Sequence, residues 1–324
     1  MTNLIRQIIM ERKSPPVLCI IVPCYIEAPV LRQTNLAIDE VMAEMVEHEK
    51  ISPYSFMLFV DDRSTDDTWE VIKSMRCEFV RGIRLAHHSG HQIALVAGME
   101  YAVKDFDCCV TIDADLQDDV NVIPEMVAAY SKGADIVYGV RKSRKTDCAI
   151  KRMTANGFYR LMNGLGVDCV SNHADFRLMS KRAVEDLLEF DERNLFLRGI
   201  VPRIGYDQAV VFYERKERAA GVSKYPFWKM LDFAADGITS FSVLPVRMLF
   251  WLGLAFTAIG LGIGVYSLIR YFIGETIEGW TSLMLSIWFC TGMLLMGLGV
   301  TGEYIGKIYI EVKHRPRYKI SDET

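Results

Sequence analysis

The chain has 324 residues, enough for one α/β domain of roughly 200 to 250 residues and a further segment. Its 37 basic and 41 acidic residues give a formal net charge of −4, and this lack of positive excess argues against a nucleic-acid-binding protein. The eight cysteines include no Cys-x-x-Cys pair, which favours structural cysteines in a reducing compartment over a metal or redox site.

Apolar runs of strand length alternate with helix-like stretches in the first part of the chain. The pattern predicts strands at residues 17–23, 56–60, 82–85, 108–112 and 134–139. It predicts helices at residues 29–48, 65–75, 92–103 and 122–132. Strands that alternate with helices indicate a parallel sheet covered on both faces, so we predict an α/β fold. Ligands of such sheets bind at the carboxyl ends of the strands.

The most informative run is Val-Thr-Ile-Asp-Ala-Asp-Leu-Gln at residues 110–117, where a predicted strand ends. Asp113 and Asp115 are two residues apart, and strand alternation would send both side chains the same way, together with Gln117. Oxygen ligands at this spacing suit Mg²⁺ or Mn²⁺ carrying a diphosphate, although a polar turn is the structural alternative. Asp61 and Asp62 also end a predicted strand, so the two acidic groups could face one crevice.

Composition changes sharply after about residue 245. Residues 248–269 and 279–302 form uncharged runs of 22 and 24 residues, each long enough to cross a bilayer, although a buried helical hairpin is the alternative. The loop between them is acidic and the following tail is basic, which predicts a multi-pass membrane protein with both termini in the cytoplasm. Residues 226–244 have the pattern of an amphipathic helix, either at the membrane interface or packed on the core.

These observations divide the chain into four parts. We predict a cytoplasmic domain at residues 1–225 and an interfacial helix at 226–244. Two transmembrane helices, at about 247–270 and 280–303, fall within residues 245–306, and a basic cytoplasmic tail occupies 307–324.

Three segments carry a family resemblance. Residues 21–27 (Ile-Val-Pro-Cys-Tyr-Ile-Glu), 60–66 (Val-Asp-Asp-Arg-Ser-Thr-Asp) and 113–117 resemble the inverting family 2 glycosyltransferases, whose GT-A fold is Rossmann-like. Residues 174–178 (Ala-Asp-Phe-Arg-Leu) and a later basic run are similar to the polyprenyl-phosphate branch, which includes dolichol-phosphate mannose synthases and bactoprenol glucosyltransferases. The family usually has Asn at the position of Ile26 and Gly at that of Arg63.

The resemblance implies the roles of the site residues. The nucleotide-sugar site would comprise Pro23, Tyr25, Glu27, Asp62, Asp113, Ala114, Asp115 and Gln117. The metal ligands would be Asp113, Asp115 and Gln117, with Mg²⁺ or Mn²⁺ as cofactor. The acceptor or diphosphate site would comprise Arg141, Arg177, Arg215, Arg218, Ser223 and Lys224. Asp115 and Asp175 are the catalytic candidates, and Asp175 either orients the sugar or the arginines, through a pair with Arg177, or acts as a base. His87, His88 and His91 are interpreted as loop histidines in preference to a zinc site.

The implied activity is transfer of one hexose onto undecaprenyl phosphate at the cytoplasmic membrane face, feeding glycosylation of cell-surface polysaccharide or lipid. A lipid phosphate, with a second pKa of about 6, is already ionised and needs no general base. Glucose from UDP-glucose is the preferred donor, and N-acetylglucosamine, mannose and aminoarabinose are alternatives. A processive polysaccharide synthase usually has a Gln-x-x-Arg-Trp motif and more spans, and an inactive membrane scaffold is a further alternative. The resemblance also implies a homotetramer and a location in the bacterial inner membrane.

Overall fold

The computed structural model describes residues 15–141, 173–190, 192, 197–214, 244–273 and 279–324. These residues separate into two compact units. The sheet unit comprises the described residues up to 214 together with 315–324, and the helical unit comprises 244–273 and 279–314. The predicted interfacial helix at 226–244 lies outside the described residues, apart from its last position.

An eight-stranded mixed sheet forms the centre of the sheet unit. Its strands are β1 (Leu18–Cys24), β2 (Phe56–Asp61), β3 (Val80–Leu85), β4 (Cys108–Thr111), β5 (Ile136–Arg141), β6 (His173–Ser180), β7 (Gln208–Tyr213) and β8 (Ile320–Glu323). They are arranged in the order β7-β5-β6-β4-β1-β2-β3-β8. The first five match the predicted strands, which confirms the α/β class.

The prediction of a fully parallel sheet is wrong. β1 is parallel to β2 and β4, and β2 is parallel to β3. However, β6 lies between β4 and β5 and runs antiparallel to both, and β8 runs antiparallel to β3. The insertion of β6 brings Asp175 and Arg177 next to the end of β4, since Arg177 pairs in register with Thr111.

Helices cover both faces of the sheet. They are α1 (Ala28–Glu47), α2 (Thr68–Met75), α3 (His91–Ala102), α4 (Ile123–Ser131), α5 (Lys181–Leu188) and the short α6 (Leu197–Ile200). The core-facing side of α1 carries Leu31, Ile38 and Met45 at helical spacing. These side chains pack with the buried alternate residues of the central strands, such as Ile20 and Phe59.

Gly98 allows α3 to lie directly on the sheet. A Cβ atom at this position would approach the side chains of Ile21 and Val60 to 2.7 and 2.9 Å. No such contact distance is tolerated in a packed core, so a larger residue would push the helix away. The close approach lets α3, which begins at His91, pack on β1 and β2.

The tail at residues 315–324 belongs to the sheet unit. Its strand β8 is held on β3, where the Gly82 amide donates to Thr324 Oγ1 at 2.8 Å and the Thr324 amide donates to the Gly82 carbonyl at 2.9 Å. The Ala86 amide also donates to the carbonyl of Lys319 at 2.8 Å. The predicted basic tail is therefore in part an edge strand of the sheet.

The helical unit consists of two long helices, α7 (Leu244–Phe272) and α8 (Trp280–Val312), which contact each other. The first encloses the predicted helix at 247–270, and the second begins at residue 280 as predicted but continues beyond the predicted end at about 303. Within the described part of the chain, none of the helices combines the length and the apolarity that a membrane crossing requires. The predicted transmembrane character of the pair is therefore not confirmed.

Candidate active site

The loops that follow β1 and β2 are bound to each other by side-chain hydrogen bonds. The Ile26 amide donates to Ser64 Oγ and the Glu27 amide donates to Thr68 Oγ1, each at 3.0 Å. Asp66 accepts hydrogen bonds from the Thr68 amide and hydroxyl. These bonds hold the crevice above the two strands in one shape before any ligand binds.

Asp61 is a structural carboxylate. Its side chain is completely buried, accepts from the Ser64 amide at 3.0 Å and pairs with Arg84 at 3.0 Å. Burial raises the pKa of Asp61, and the Ser64 hydrogen bonds and the Arg84 charge oppose that rise. A carboxylate enclosed in this way is not accessible to a nucleotide.

Asp62 braces the loop before α3. Its side chain is 3% exposed, and it accepts from the Ser89 amide at 2.7 Å and the Gly90 amide at 2.8 Å. His88 Nδ1 lies 2.8 Å from the same carboxylate. Both oxygens are thus engaged by the loop, and the contact of this carboxylate with the nucleotide stays a prediction.

Two other predicted nucleotide residues are also enclosed. Pro23 is buried within β1, so its ring does not face an open pocket. Ala114 is buried, and its carbonyl accepts a hydrogen bond from the Thr34 hydroxyl of α1 at 2.7 Å. This hydrogen bond ties the turn at residues 113–117 to α1. Tyr25 is 37% exposed and its ring stacks on His88 at 4.1 Å between centroids, while Glu27 is partly exposed. Tyr25 and Glu27 therefore keep surface towards the crevice.

Residues 113–117, which we call the metal turn, follow β4. The strand ends at Thr111, so the two carboxylates are placed by a turn and not by strand alternation as predicted. Asp115 accepts from the Gln117 amide at 3.1 Å, and Leu116 between them has a left-handed φ of 54°. An aspartate side chain that closes a turn in this way fixes the local backbone.

The metal turn meets the requirements of a divalent cation. Gln117 is 7% exposed, and its Oε1 atom is buried without a hydrogen-bond partner among the described residues. A buried carbonyl oxygen without a hydrogen bond lowers the stability of the folded protein unless a ligand binds to that oxygen. The described residues contain no cluster of three His, Cys, Asp or Glu side chains suited to a metal. Two carboxylates and one amide, completed by substrate phosphates, are the usual environment of Mg²⁺, so the residues fit the predicted cofactor.

The electrostatic environment of Asp113 is that of a carboxylate prepared for a cation. Its side chain is 40% exposed to the crevice. Desolvation by the surrounding protein, together with the charges of Asp118, Asp175 and Asp115, raises the pKa of Asp113 to about 6, although His91 opposes the rise. The repulsion among these carboxylates is relieved by a positive charge at the turn.

Asp175 is the centre of a group of charged side chains, which we call the Asp175 cluster. Asp175 pairs with Arg177 at 2.8 Å, in agreement with the predicted pair, and with Arg198 at 3.2 Å. His91 Nε2 lies 3.6 Å from Asp175 and 3.5 Å from Asp113, and so joins the cluster to the metal turn.

This environment argues against a base role for Asp175. Burial favours a higher pKa for Asp175, but the hydrogen bond with His91 and the charges of Arg198 and Arg177 hold the pKa well below its usual range. A carboxylate so strongly stabilised as the anion is a poor proton acceptor. Asp175 is therefore better suited to hold the arginines in place.

The enclosure of Arg177 argues against its predicted acceptor role, whereas the acceptor role of Arg141 stays a prediction. Arg177 is 1% exposed, because it lies beneath Asp175, and its charge reaches the crevice only through that carboxylate. Arg141 donates to Asp118 at 3.2 Å and to the Tyr213 hydroxyl at 3.0 Å, and it retains 30% exposure beside the metal turn. The other predicted acceptor residues, Arg215, Arg218, Ser223 and Lys224, lie outside the described residues.

Sequence reasoning missed Arg198 and Asp118 and underrated His91. Arg198 follows the motif residue Asp175 by 23 positions and belongs to a four-residue helix with no motif of its own. Asp118 directly follows the metal turn, which was a signal for closer attention. The prediction that His91 is a loop histidine is wrong, because His91 is the first residue of α3.

Comparison with known proteins agrees with this geometry. Residues 19–188 match the family model described as Glycosyl transferase family 2. The uncharacterized glycosyltransferase YkoT of Bacillus subtilis is 51% identical over 311 residues, which cover 95% of this chain and 92% of that protein. The bactoprenol glucosyl transferase of Shigella phage SfV is 40% identical over 282 residues, covering 86% and 91%. The crystal structure of mannosyl-3-phosphoglycerate synthase from Rubrobacter xylanophilus has 16% identity and a TM-score of 0.48, covering 74% and 75%. The family model and these two relatives show that this chain, whose fold is α/β, is a glycosyltransferase and belongs to glycosyl transferase family 2.

Proposed function

We propose that the protein transfers one hexose from a nucleoside diphosphate sugar to the phosphate of a polyprenyl phosphate, with inversion at the anomeric carbon. UDP-glucose is the preferred donor and undecaprenyl phosphate the preferred acceptor. The observation that carries the proposal is the position of the metal turn beside the Asp175 cluster, because His91 contacts both. The 40% identity to a protein named as a bactoprenol glucosyl transferase supports the same class of acceptor.

The donor would be held by the crevice above β1, β2 and β4. Asp113, Asp115 and Gln117 would ligate Mg²⁺ or Mn²⁺, and Tyr25 and Glu27 would line the nucleoside side. When bound, the cation neutralises the charge that develops on the departing nucleoside diphosphate.

The transfer step needs no general base. An oxygen of the ionised acceptor phosphate attacks the anomeric carbon, and the bond from that carbon to the diphosphate oxygen breaks. The bonding electron pair leaves with the nucleoside diphosphate, so charge and atoms balance without a proton transfer. The protein contributes the alignment of the two substrates and the compensation of their negative charges.

Membrane attachment is part of the proposal and rests on the sequence. The uncharged runs at residues 248–269 and 279–302, with the basic residues that follow, support an anchor that holds the sheet unit at the cytoplasmic face. Retention in the membrane fraction after an alkaline carbonate wash is expected, and complete release would contradict it. A tetramer is expected by light scattering in detergent.

A donor-panel assay tests the activity. Purified protein is incubated with undecaprenyl phosphate, Mg²⁺ or Mn²⁺, and labelled UDP-glucose, UDP-N-acetylglucosamine, GDP-mannose or UDP-aminoarabinose. We expect a lipid product carrying one sugar, from UDP-glucose in preference to the others. Asp115→Asn should abolish the product, whereas Asp39→Asn, at an exposed position on α1, should not. Absence of labelled lipid with every donor would refute the proposed function, and a polymer would indicate a processive synthase.

A further inference from the structure

Arg198 occupies a position from which a second anion can be bound. It belongs to the short helix α6, and its Nε and Nη2 atoms donate to the two oxygens of Asp175 at 3.3 and 3.2 Å. We propose that Arg198 binds the phosphate of the polyprenyl acceptor, and that Asp175 is the positioning residue that orients the guanidinium of Arg198. This inference rests on the proposed function.

The two arginines of the Asp175 cluster divide into a buried one and an accessible one. Arg177 is 1% exposed and donates to Asp175 and to the Leu197 carbonyl, so it stabilises the carboxylate from inside the protein. Arg198 is 36% exposed, on the open side of the same carboxylate. Of the two, only Arg198 presents guanidinium surface that a substrate can reach.

The charge of the cluster favours an anion as its ligand. Asp175 faces two guanidinium groups, and the exposed one belongs to Arg198. A divalent cation at the metal turn would match the negative charges of Asp113 and Asp115, so that these carboxylates would not repel an anion bound beside them. A phosphate monoester, with a charge of about −2 at neutral pH, is the complementary ligand for an exposed guanidinium.

The distance to the metal turn fits the acceptor. His91 Nε2 lies within 3.6 Å of Asp175 and within 3.5 Å of Asp113, so one imidazole ring separates the Asp175 cluster from the donor diphosphate site. The attacking phosphate must approach the anomeric carbon, which is bonded directly to that diphosphate. An anion on Arg198 would therefore be adjacent to the donor without competing for its cation.

The test compares Arg198→Gln with Arg203→Gln. Glutamine at position 198 can still donate a hydrogen bond to Asp175 but lacks the charge, and Arg203 is an exposed arginine in the turn that follows α6. Calorimetry measures binding of farnesyl phosphate, with farnesol as the uncharged comparison. Steady-state assays measure the KM values for undecaprenyl phosphate and for the nucleotide sugar, and thermal unfolding checks that each variant is folded.

We expect Arg198→Gln to weaken farnesyl phosphate binding and to raise the KM for undecaprenyl phosphate, each by about tenfold to a hundredfold, since charge-assisted hydrogen bonds are lost. Farnesol binding, the KM for the nucleotide sugar and the Arg203→Gln variant should be unaffected. Unchanged farnesyl phosphate binding, or a loss confined to the nucleotide sugar, would overturn the assignment of Arg198. Failure of the wild-type protein to transfer from any donor would instead refute the proposed function, and the two failures are distinguishable.

Discussion

The bracing role of Asp62 can be tested by removing its carboxylate. Asp62→Ala eliminates the acceptor for the Ser89 and Gly90 amides, at 2.7 and 2.8 Å, and the contact with His88. A hydrogen bond to a charged group contributes about 1.5–3 kcal/mol, and water can replace part of it because the loop is partly exposed. We therefore expect a loss of about 2–4 kcal/mol in the free energy of unfolding. For a unit of this size, this corresponds to a melting temperature lower by about 5–12 °C.

Activity should fall with stability, because the same loop leads into α3. Without its brace, the loop no longer fixes His91, which contacts both Asp113 and Asp175. Asp62→Asn keeps one acceptor oxygen and should show an intermediate loss of stability. Asp67→Asn is the matched control, since Asp67 is exposed and makes no side-chain cap to α2, and its effect should stay within about 0.5 kcal/mol.

Thermal unfolding and calorimetric titration with UDP and Mn²⁺ distinguish the two possible roles of Asp62. The bracing role predicts that Asp62→Ala loses stability in the absence of any ligand. A variant that melts like the wild type but no longer binds UDP would show that the carboxylate contacts the nucleotide, and would refute the reasoning.

Three further changes test other parts of the structure. Gln117→Leu should weaken Mn²⁺ binding in the presence of UDP about tenfold without lowering the melting temperature, and unchanged affinity in calorimetry would count against the metal turn. Arg63→Gly and Glu49→Gly should each raise the free energy of unfolding by about 0.5–1 kcal/mol in urea titrations, because both residues have left-handed φ values, of 59° and 54°. A loss of stability in both variants would contradict those backbone conformations. Deletion of residues 320–324 should lower the melting temperature and promote self-association in light scattering, since β3 becomes an unpaired edge, and an unchanged monodisperse sample would argue against β8 pairing.

The left-handed positions explain two departures of this sequence from its family. Ile26 and Arg63 both have a φ of 59°, a region that favours Gly and Asn, and the family usually has Asn and Gly at these two positions. The sequence alone showed the departures but not their meaning. The structure shows that Ile26 and Arg63 both occupy the left-handed region, where their side chains strain the backbone.

Local patterns predicted the first five strands because each is an apolar run bounded by polar turns. They did not predict β6 between β4 and β5, since strand order depends on pairings between distant segments. The Asp113 and Asp115 pair was recognisable from its spacing. Arg198 was not recognisable, because its hydrogen bonds to Asp175 form only after α6 has packed next to β6.

The strand β8 has a consequence for the order in which the protein is made. Gly82 and Thr324 are bonded across 242 positions, and both long helices lie between them in the chain. A ribosome must therefore translate α7 and α8 before β3 can obtain its outer neighbour. Until then the nascent sheet has an open side next to Arg84, the partner of Asp61. During that interval we expect the emerging chain to depend on chaperones that cover exposed strand edges.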